Sequence, residues 1–203
     1  MTWNKLAQQE QIDKTIAALK ENGINAELVA NGSAAKSRVL ELLPKDAEVM
    51  TMTSITLETT GIAEAINEST DYTLARNKIN SLDAEKELSQ RLKIGAAPDY
   101  VVGSVHAVTE DGKVVVASNT GSQLPAYAYG SQNVIWVVGT QKIVADLDAA
   151  FNRINEHVLP LESDRARKAY GVEGSYVSKL LIFNKEVNPN RIRIIFVNEN
   201  LGF

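Results

Sequence analysis

Asn-Val-Ile-Trp-Val-Val-Gly-Thr-Gln-Lys-Ile-Val, residues 133–144, is the stretch that decides the predicted fold. Residues 133–138 are the most apolar strand-like run, and strands buried on both faces have such continuous apolar sequences. A central parallel strand is therefore predicted here, with the polar loop 139–142 at its end. A helical stripe is predicted directly after the loop, made of Val144, Leu147, Phe151, Ile154 and Val158.

Strand-like and helix-like patterns alternate outward from this central strand. Further strands are predicted over 24–30, 47–52, 99–102, 180–183 and 191–197. Ser33 and Ser54 are the predicted N-caps of two helices that follow early strands. Later helices are predicted from about Asp83 to Gly95 and over 164–171.

A β-hairpin is predicted within this alternation. Runs 105–109 and 113–117 flank Glu110-Asp111-Gly112, and Asp-Gly is a pair that tight turns favour. The pattern predicts an α/β fold, a three-layer sandwich with a largely parallel sheet plus an inserted β-hairpin. The chain 1–203 is expected to be one domain, with 1–30 as an N-terminal helical arm.

Composition removes several classes of chemistry. The 203 residues contain no cysteine and two histidines, so disulfides, thiolate nucleophiles and cysteine-held zinc or iron–sulfur centres cannot form on them. We expect neither a metal nor a cofactor. A net charge of −4 disfavours general nucleic-acid binding. The longest apolar runs are far too short to cross a membrane, so a cytoplasmic protein is expected.

Loops at the carboxyl ends of parallel strands are where open α/β sheets bind ligands. Free amides and hydroxyls at helix starts can hold a phosphate or carboxylate, although simple capping explains them equally well. Lys142 can neutralise an anion, or it can be a solvated loop lysine. The predicted ligand-binding residues are Gly32, Ser33, Thr53, Ser54, Thr56, Ser104, His106, Asn119, Gly121, Ser122, Gln123, Gly139, Thr140, Gln141 and Lys142.

Two carboxylates are candidate catalytic groups. Glu110 is a candidate nucleophile, because carboxylates serve that role in covalent catalysis, and an ordinary hairpin turn is its alternative explanation. Glu58 is a candidate general base beside the hydroxyl-rich loop, or a solvated helix residue. His106 is a candidate site residue or a satisfied structural histidine.

Several strings resemble the LUD domain family, the lactate-utilisation proteins of LutC type. They are Gly103-Ser104-Val105-His106-Ala107-Val108-Thr109-Glu110-Asp111-Gly112, Val115-Val116-Ala117-Ser118-Asn119-Thr120-Gly121-Ser122-Gln123, Val138-Gly139-Thr140-Gln141-Lys142-Ile143-Val144, Phe151-Asn152-Arg153-Ile154, and the ending from Arg191 to Phe203. The similarity covers about residues 33–203.

This resemblance implies a NagB/RpiA/CoA-transferase-like fold and a bacterial cytoplasmic role in oxidising lactate to pyruvate. It also implies partner proteins that carry iron–sulfur clusters. Some family members are fused to cysteine-rich segments, and this chain departs from them because it has no cysteine. We therefore expect the redox centres to reside on partners and a small anionic metabolite to bind this chain.

Two other functional classes remain open from the sequence. One is a stand-alone enzyme that handles a coenzyme A ester, a sugar phosphate or a folate, with Glu110 or Glu58 as the reacting carboxylate. The other is a non-catalytic assembly subunit. The N-terminal helix and the late strands are the candidate contacts of a homodimer.

Overall fold

The structure is a computed structural model that describes residues 3–203. Its main sheet has six strands, and every neighbouring pair is parallel. In order across the sheet the strands are β1 (Asn25–Val29), β10 (Ile192–Val197), β7 (Asn133–Gly139), β4 (Tyr100–Gly103), β2 (Glu48–Thr51) and β3 (Thr73–Leu74). The predicted central strand is confirmed, since β7 lies between β10 and β4.

The predicted hairpin forms and belongs to a second sheet of four strands. Ala107 pairs with Val115 in antiparallel register around the Glu110-Asp111-Gly112 turn. This sheet contains, in order, β8 (Ile143–Val144), β5 (Ala107–Thr109), β6 (Val114–Ser118) and β9 (Lys179–Phe183). The two strands of the inserted hairpin therefore each pair with one later strand, β5 with β8 and β6 with β9.

The α-helices are α1 (Gln9–Glu21), α2 (Gly32–Leu42), α3 (Ile55–Thr59), α4 (Ile62–Asn67), α5 (Ala75–Ser81), α6 (Leu88–Ala96), α7 (Leu147–Arg153) and α8 (Leu159–Tyr170). A π-helical stretch, Ile154–Val158, joins α7 to α8, and another covers Ala126–Gly130. None of the helices described in residues 3–203 is long and apolar enough to span a bilayer.

Four local predictions need correction. The predicted helix of 83–95 is the shorter helix α6, which begins at Leu88, and the separate helix α5 lies before residue 83. The predicted helix of 164–171 is the end of α8. Val144 lies in β8 and is not part of the helical stripe, because it pairs with Thr109. Asn31 caps α2 in place of Ser33, since its side chain accepts the amide of Ala34 at 2.9 Å. Ser54 caps α3 as predicted.

The alternating side chains of β7 explain its continuous apolar sequence. Val134, Trp136 and Val138 enter one core cluster, which includes α1 and the inner face of the second sheet. Ile135 and Val137 enter the opposite cluster with α2, α3 and α4. The chain is thus an α/β sandwich in which the parallel main sheet is covered on both faces.

Residues 3–30 are integrated into this sandwich and do not form a separate arm. Ile12 and Leu19 of α1 are fully buried in the same cluster as Trp136. Strand β1 pairs with β10 from Asn25 to Val29. The helical spacing of the N-terminal segment thus reflects packing onto the sheet.

Candidate functional site

A cavity of about 530 Å³ opens at the carboxyl ends of three neighbouring strands of the main sheet. Its walls include the segments that follow β2, β4 and β7, which carry Thr56, Ser104 and Lys142 respectively. The far wall is formed by α8 and by the segment after β6. This is the position that the general rule for open α/β sheets predicts for a ligand.

Lys142 is a buried lysine in the wall of this cavity, with only 2% of its surface exposed. Its Nζ donates hydrogen bonds to Thr56 Oγ1, Ser104 Oγ and the carbonyl oxygen of Val105, each at 3.2 Å. All three acceptors are uncharged. A buried ammonium is normally paired with a carboxylate, so this environment is unusual.

Arg153, at the end of α7, is a second buried cation close to the same wall. Its Nη1 donates to the carbonyl oxygen of His106 at 2.7 Å. Its Nε and Nη2 atoms are buried without a hydrogen-bond partner among residues 3–203. Within that same range, neither Arg153 nor Lys142 takes part in a salt bridge.

The titration behaviour of the neighbouring groups reflects this excess of positive charge. Burial, and then the charge of Arg153, lowers the pKa of Lys142 to about 7. Burial lowers the pKa of Arg153 to about 10. The pKa of His157 is lowered by burial and then by Arg153 and Lys142. An anion that entered the cavity would relieve this repulsion.

His106 is held as a neutral donor at the cavity wall. Its Nδ1 accepts the main-chain amide of Ala117 at 3.1 Å, so the proton of the neutral ring lies on Nε2. Burial, with the charges of Lys142 and Arg153, lowers the pKa of His106 to about 3. The ring therefore stays neutral near pH 7 and offers an N–H to the cavity that it lines.

The segment 198–203 closes one side of the site and is held by residues of the 139–142 loop. Gln141 Nε2 donates to the carbonyl oxygen of Leu201 at 2.9 Å, and Thr140 Oγ1 bonds Asn198 Oδ1 at 3.0 Å. A Cβ at Gly139 would lie 2.6 Å from the Glu199 carbonyl oxygen. Gly139, Thr140 and Gln141 thus hold the 198–203 segment in place from behind and do not contact the cavity themselves.

The opposite rim carries a paired arginine and aromatic side chains. Arg165 binds Glu162 through two hydrogen bonds of 2.7 Å and lies 5.4 Å from the ring centre of Tyr170. The Glu162 carboxylate raises the pKa of Arg165. Tyr176, in the irregular segment after α8, adds a second exposed ring. This rim therefore presents two exposed tyrosine rings and an arginine whose charge is neutralised by Glu162.

The structure brings many of the predicted ligand-binding residues into one cavity. Those that line it are Thr53, Ser54, Thr56, Ser104, His106, Asn119, Ser122, Gln123 and Lys142. Gly121 does not line it but has a φ of +88° in the turn that carries Ser122. Gln123 is partly engaged, because its Oε1 accepts from Ser118 Oγ at 2.9 Å.

The predicted anion site at the start of α2 is not part of the cavity. Gly32 and Ser33 lie outside its walls, and the Gly32 amide donates to Glu199 Oε2 at 3.1 Å. The chain therefore fills this helix start with its own carboxylate. Sequence alone could not show this, since the two residues are 167 positions apart.

The two candidate catalytic carboxylates also lie outside the cavity walls. Glu110 is in the hairpin turn, where it accepts hydrogen bonds from Lys14 Nζ at 2.8 Å and Gln11 Nε2 at 3.1 Å. Glu58 is exposed on α3, two residues after Thr56. The structure thus brings neither carboxylate to Lys142.

Residues that the sequence reasoning missed include Arg153, Tyr127, Glu162 and Arg165. A usable signal existed for Arg153, because Ala150, Arg153 and Ile154 have the i, i+3, i+4 spacing of one helix face. Ala150 and Ile154 are buried, so a cation on their face is buried with them. The charge pattern around Arg165 favours a solvated basic face, and no local pattern distinguishes its contact with the cavity.

The fold and the site together define an α/β protein with a buried lysine in a cavity at the strand ends. A family profile described as LUD domain matches residues 12–197. The chain belongs to the LUD domain family.

A solved structure has the same fold. The crystal structure of a DUF162 family protein from Deinococcus radiodurans matches with a TM-score of 0.60 and 12% sequence identity. The match covers 96% of this chain and 100% of that chain. A comparison with curated proteins found no match.

Proposed function

We propose that this protein binds a small anionic metabolite, lactate or its oxidation product pyruvate, in the cavity at Lys142 and takes part in lactate utilisation. The observation that carries the proposal is the buried Lys142 ammonium, which has no salt-bridge partner among residues 3–203. The association of the LUD domain family with lactate utilisation supports this class of ligand.

The donors around Lys142 suit a hydroxy-acid or an oxo-acid. A carboxylate next to Lys142 would gain a charge-assisted hydrogen bond and supply the missing counter-charge. The hydroxyl of Ser104 and the Nε2–H of His106 are neutral groups on the same wall. They can bind the hydroxyl or carbonyl oxygen on the adjacent carbon.

The proposal assigns electron transfer to a partner. These 203 residues contain no cysteine, so they cannot ligate an iron–sulfur cluster through thiolates. Tagged protein recovered from cells grown on lactate should bring down a protein that contains iron and absorbs visible light. Recovery of the chain without bound iron would contradict this part of the proposal.

The binding claim is tested by calorimetry with lactate, pyruvate and the neutral analogue lactamide. We expect both acids to bind and lactamide not to bind. Lys142→Met should weaken acid binding by about 10- to 100-fold, the worth of a hydrogen bond to a charged group. Lys185→Met is the matched control, because Lys185 is exposed. Equal affinity in wild type and Lys142→Met would contradict the proposed site.

The size of the cavity favours one alternative function. Its volume of about 530 Å³ lies in the range for drug-sized ligands and exceeds what a three-carbon acid fills. Tyr170 and Arg165 at the far rim could contact a larger group. The alternative is an enzyme for a coenzyme A ester, a sugar phosphate or a folate. Calorimetry with these compounds decides between the two, since tighter binding than lactate and pyruvate would favour the alternative.

A further inference from the structure

The amine of Lys142 is placed where a lysine that reacts with carbonyl compounds must be. Such a lysine needs to be shielded from bulk water, open to a ligand cavity and free of a neutralising carboxylate. Lys142 is 2% exposed, lines the cavity and takes part in no salt bridge within residues 3–203.

The hydrogen bonds around Nζ can accommodate both the ammonium and the neutral amine. The Thr56 hydroxyl donates its proton to the Leu201 carbonyl oxygen at 3.1 Å, so toward Nζ it acts only as an acceptor. The Val105 carbonyl oxygen is also an acceptor. Ser104 Oγ, in contrast, can accept from the ammonium or donate to the lone pair of the neutral amine. All three neighbours can therefore keep a hydrogen bond to Nζ after the ammonium loses one proton.

The charges around Lys142 Nζ also favour its neutral form. After burial, the charge of Arg153 from α7 lowers the pKa of Lys142. The same two cations lower the pKa values of His106, on the segment after β4, and of His157, after α7. His106 is neutral and Arg153 is cationic, so the neutral form of Lys142 is favoured. A substantial share of neutral amine is therefore present near pH 7, where the pKa of Lys142 lies.

We propose that Lys142 forms a reversible imine with the carbonyl carbon of a 2-oxo acid bound in this cavity. The inference rests on the proposed function, which places a small carboxylate beside the same amine. In a 2-oxo acid the carbonyl carbon is bonded directly to the carboxylate. A lysine that captures the carboxylate therefore also lies near the carbon that it attacks.

The step balances without any redox partner. The nitrogen lone pair attacks the carbonyl carbon and forms a C–N bond, while the C=O π pair moves to oxygen. That oxygen takes a proton from the nitrogen. It then takes the proton that the ammonium released on becoming the neutral amine, and it leaves as water while the nitrogen lone pair forms the C=N bond. Overall, a lysine ammonium and a 2-oxo acid give a protonated imine and one water. The Ser104 hydroxyl, 3.2 Å from Nζ, is placed to relay the proton from nitrogen to oxygen.

Reductive trapping on the intact wild-type chain tests the proposal. The protein is incubated with pyruvate and sodium cyanoborohydride near pH 7 and then mapped by peptide mass spectrometry. We expect Lys142 to carry an added mass equal to pyruvate minus water plus two hydrogens. Lactate has no ketone and should give no adduct. Lys142→Arg should retain a cation but lose the adduct at this position.

Exposed lysines provide the internal control. A lysine with the ordinary pKa of about 10.4 is neutral in fewer than about one in a thousand molecules at pH 7. Lys142 should therefore be labelled at least ~10-fold more than Lys185. The labelling rate of Lys142 should level off above about pH 7, where the pKa of Lys142 in the free protein lies. Labelling spread evenly over surface lysines would overturn the proposal.

The failure of this inference can be separated from the failure of the proposed function. If calorimetry shows that pyruvate binds at Lys142 but no adduct forms there, the imine is excluded and the binding function stands. If neither lactate nor pyruvate binds, and no adduct forms on Lys142, both proposals fail.

Discussion

Lys142 and Arg153 donate hydrogen bonds to the carbonyl oxygens of consecutive residues, Val105 and His106, at 3.2 and 2.7 Å. One strand-end segment therefore holds two buried cations, one from the loop after β7 and one from the end of α7. Since neither has a salt-bridge partner among residues 3–203, the fold maintains a local excess of positive charge beside the cavity. Such an arrangement costs stability and favours an anionic ligand.

The cost should be visible in the stability of a variant that lacks the ammonium. Lys142→Met is expected to increase the free energy of unfolding by about 1–3 kcal/mol near pH 6, because an apolar side chain avoids the desolvation of a charge. The gain should shrink as pH rises. The unfolded chain keeps Lys142 protonated up to its ordinary value near 10.5, whereas the folded chain releases the proton near 7.

The unfolded state therefore binds more protons between about pH 7 and 10.5, and raising the pH in that window stabilises wild type relative to the variant. Chemical denaturation of both proteins across this range measures the effect. Lys185→Met serves as the control and should track wild type. A Lys142→Met protein that is less stable than wild type near pH 6 would contradict the prediction.

The Ser104 hydroxyl should contribute measurably to acid binding. Ser104→Ala removes a hydrogen-bonding group 3.2 Å from Lys142 Nζ, and the loss of one such bond is worth about 1 kcal/mol. Calorimetry should show about a fivefold weaker affinity for lactate. Ser81→Ala, at an exposed position on α5, should bind like wild type. Unchanged affinity in Ser104→Ala would place the acid elsewhere in the cavity.

The close approach at Gly139 should make it intolerant of alanine. A Cβ there would lie 2.1 Å from Gln141 Oε1 and 2.6 Å from the Glu199 carbonyl oxygen. Gly139→Ala is expected to destabilise the fold by about 1–3 kcal/mol, because the wall segment must move.

Gly95→Ala is the matched control for this effect. Gly95 lies in α6, and a Cβ added there would meet Ile79 Cδ1 as its nearest neighbour, at an ordinary 3.6 Å. Alanine there should stabilise the helix by up to about 1 kcal/mol. The two substitutions thus have opposite expected signs in a thermal unfolding experiment. A stabilised Gly139→Ala protein would refute the tight contact between the 139–142 loop and the 198–203 segment.

Glu110 should be dispensable for ligand binding. Hydrogen bonds from Lys14 and then Gln11 lower the pKa of the Glu110 carboxyl, so it remains ionised and engaged in the hairpin turn. Glu110→Gln is therefore expected to bind lactate and pyruvate with unchanged affinity. A large loss of binding would instead support the enzyme alternative in which this carboxylate reacts.

Much of the fold could be predicted because its signals are local. The apolar run of β7 indicates burial on both faces, and the Asp111-Gly112 pair indicates the hairpin turn. Lys142 could be placed at a ligand-binding edge because it follows the central strand directly. Its burial could not be predicted, since the acceptors Thr56 and Ser104 come from two other strand ends.

The errors arose where distant contacts override a local pattern. Asn31 caps α2 in place of Ser33, and the carboxylate of Glu199 occupies the helix start that was expected to bind an anion. The π-helical stretch Ile154–Val158 makes α7 and α8 continuous and carries Arg165 to the cavity rim. No property of the sequence near Arg165 indicates that position.

The most direct measurement is an NMR titration of isotope-labelled lysine, with the Lys142 signal assigned by its loss in Lys142→Met. We predict a pKa near 7 for Lys142 in the free protein, rising when lactate saturates the cavity, because the acid supplies the counter-charge that the described residues lack. A Lys142 pKa near its ordinary value, or one that lactate does not change, would contradict anion binding at this lysine.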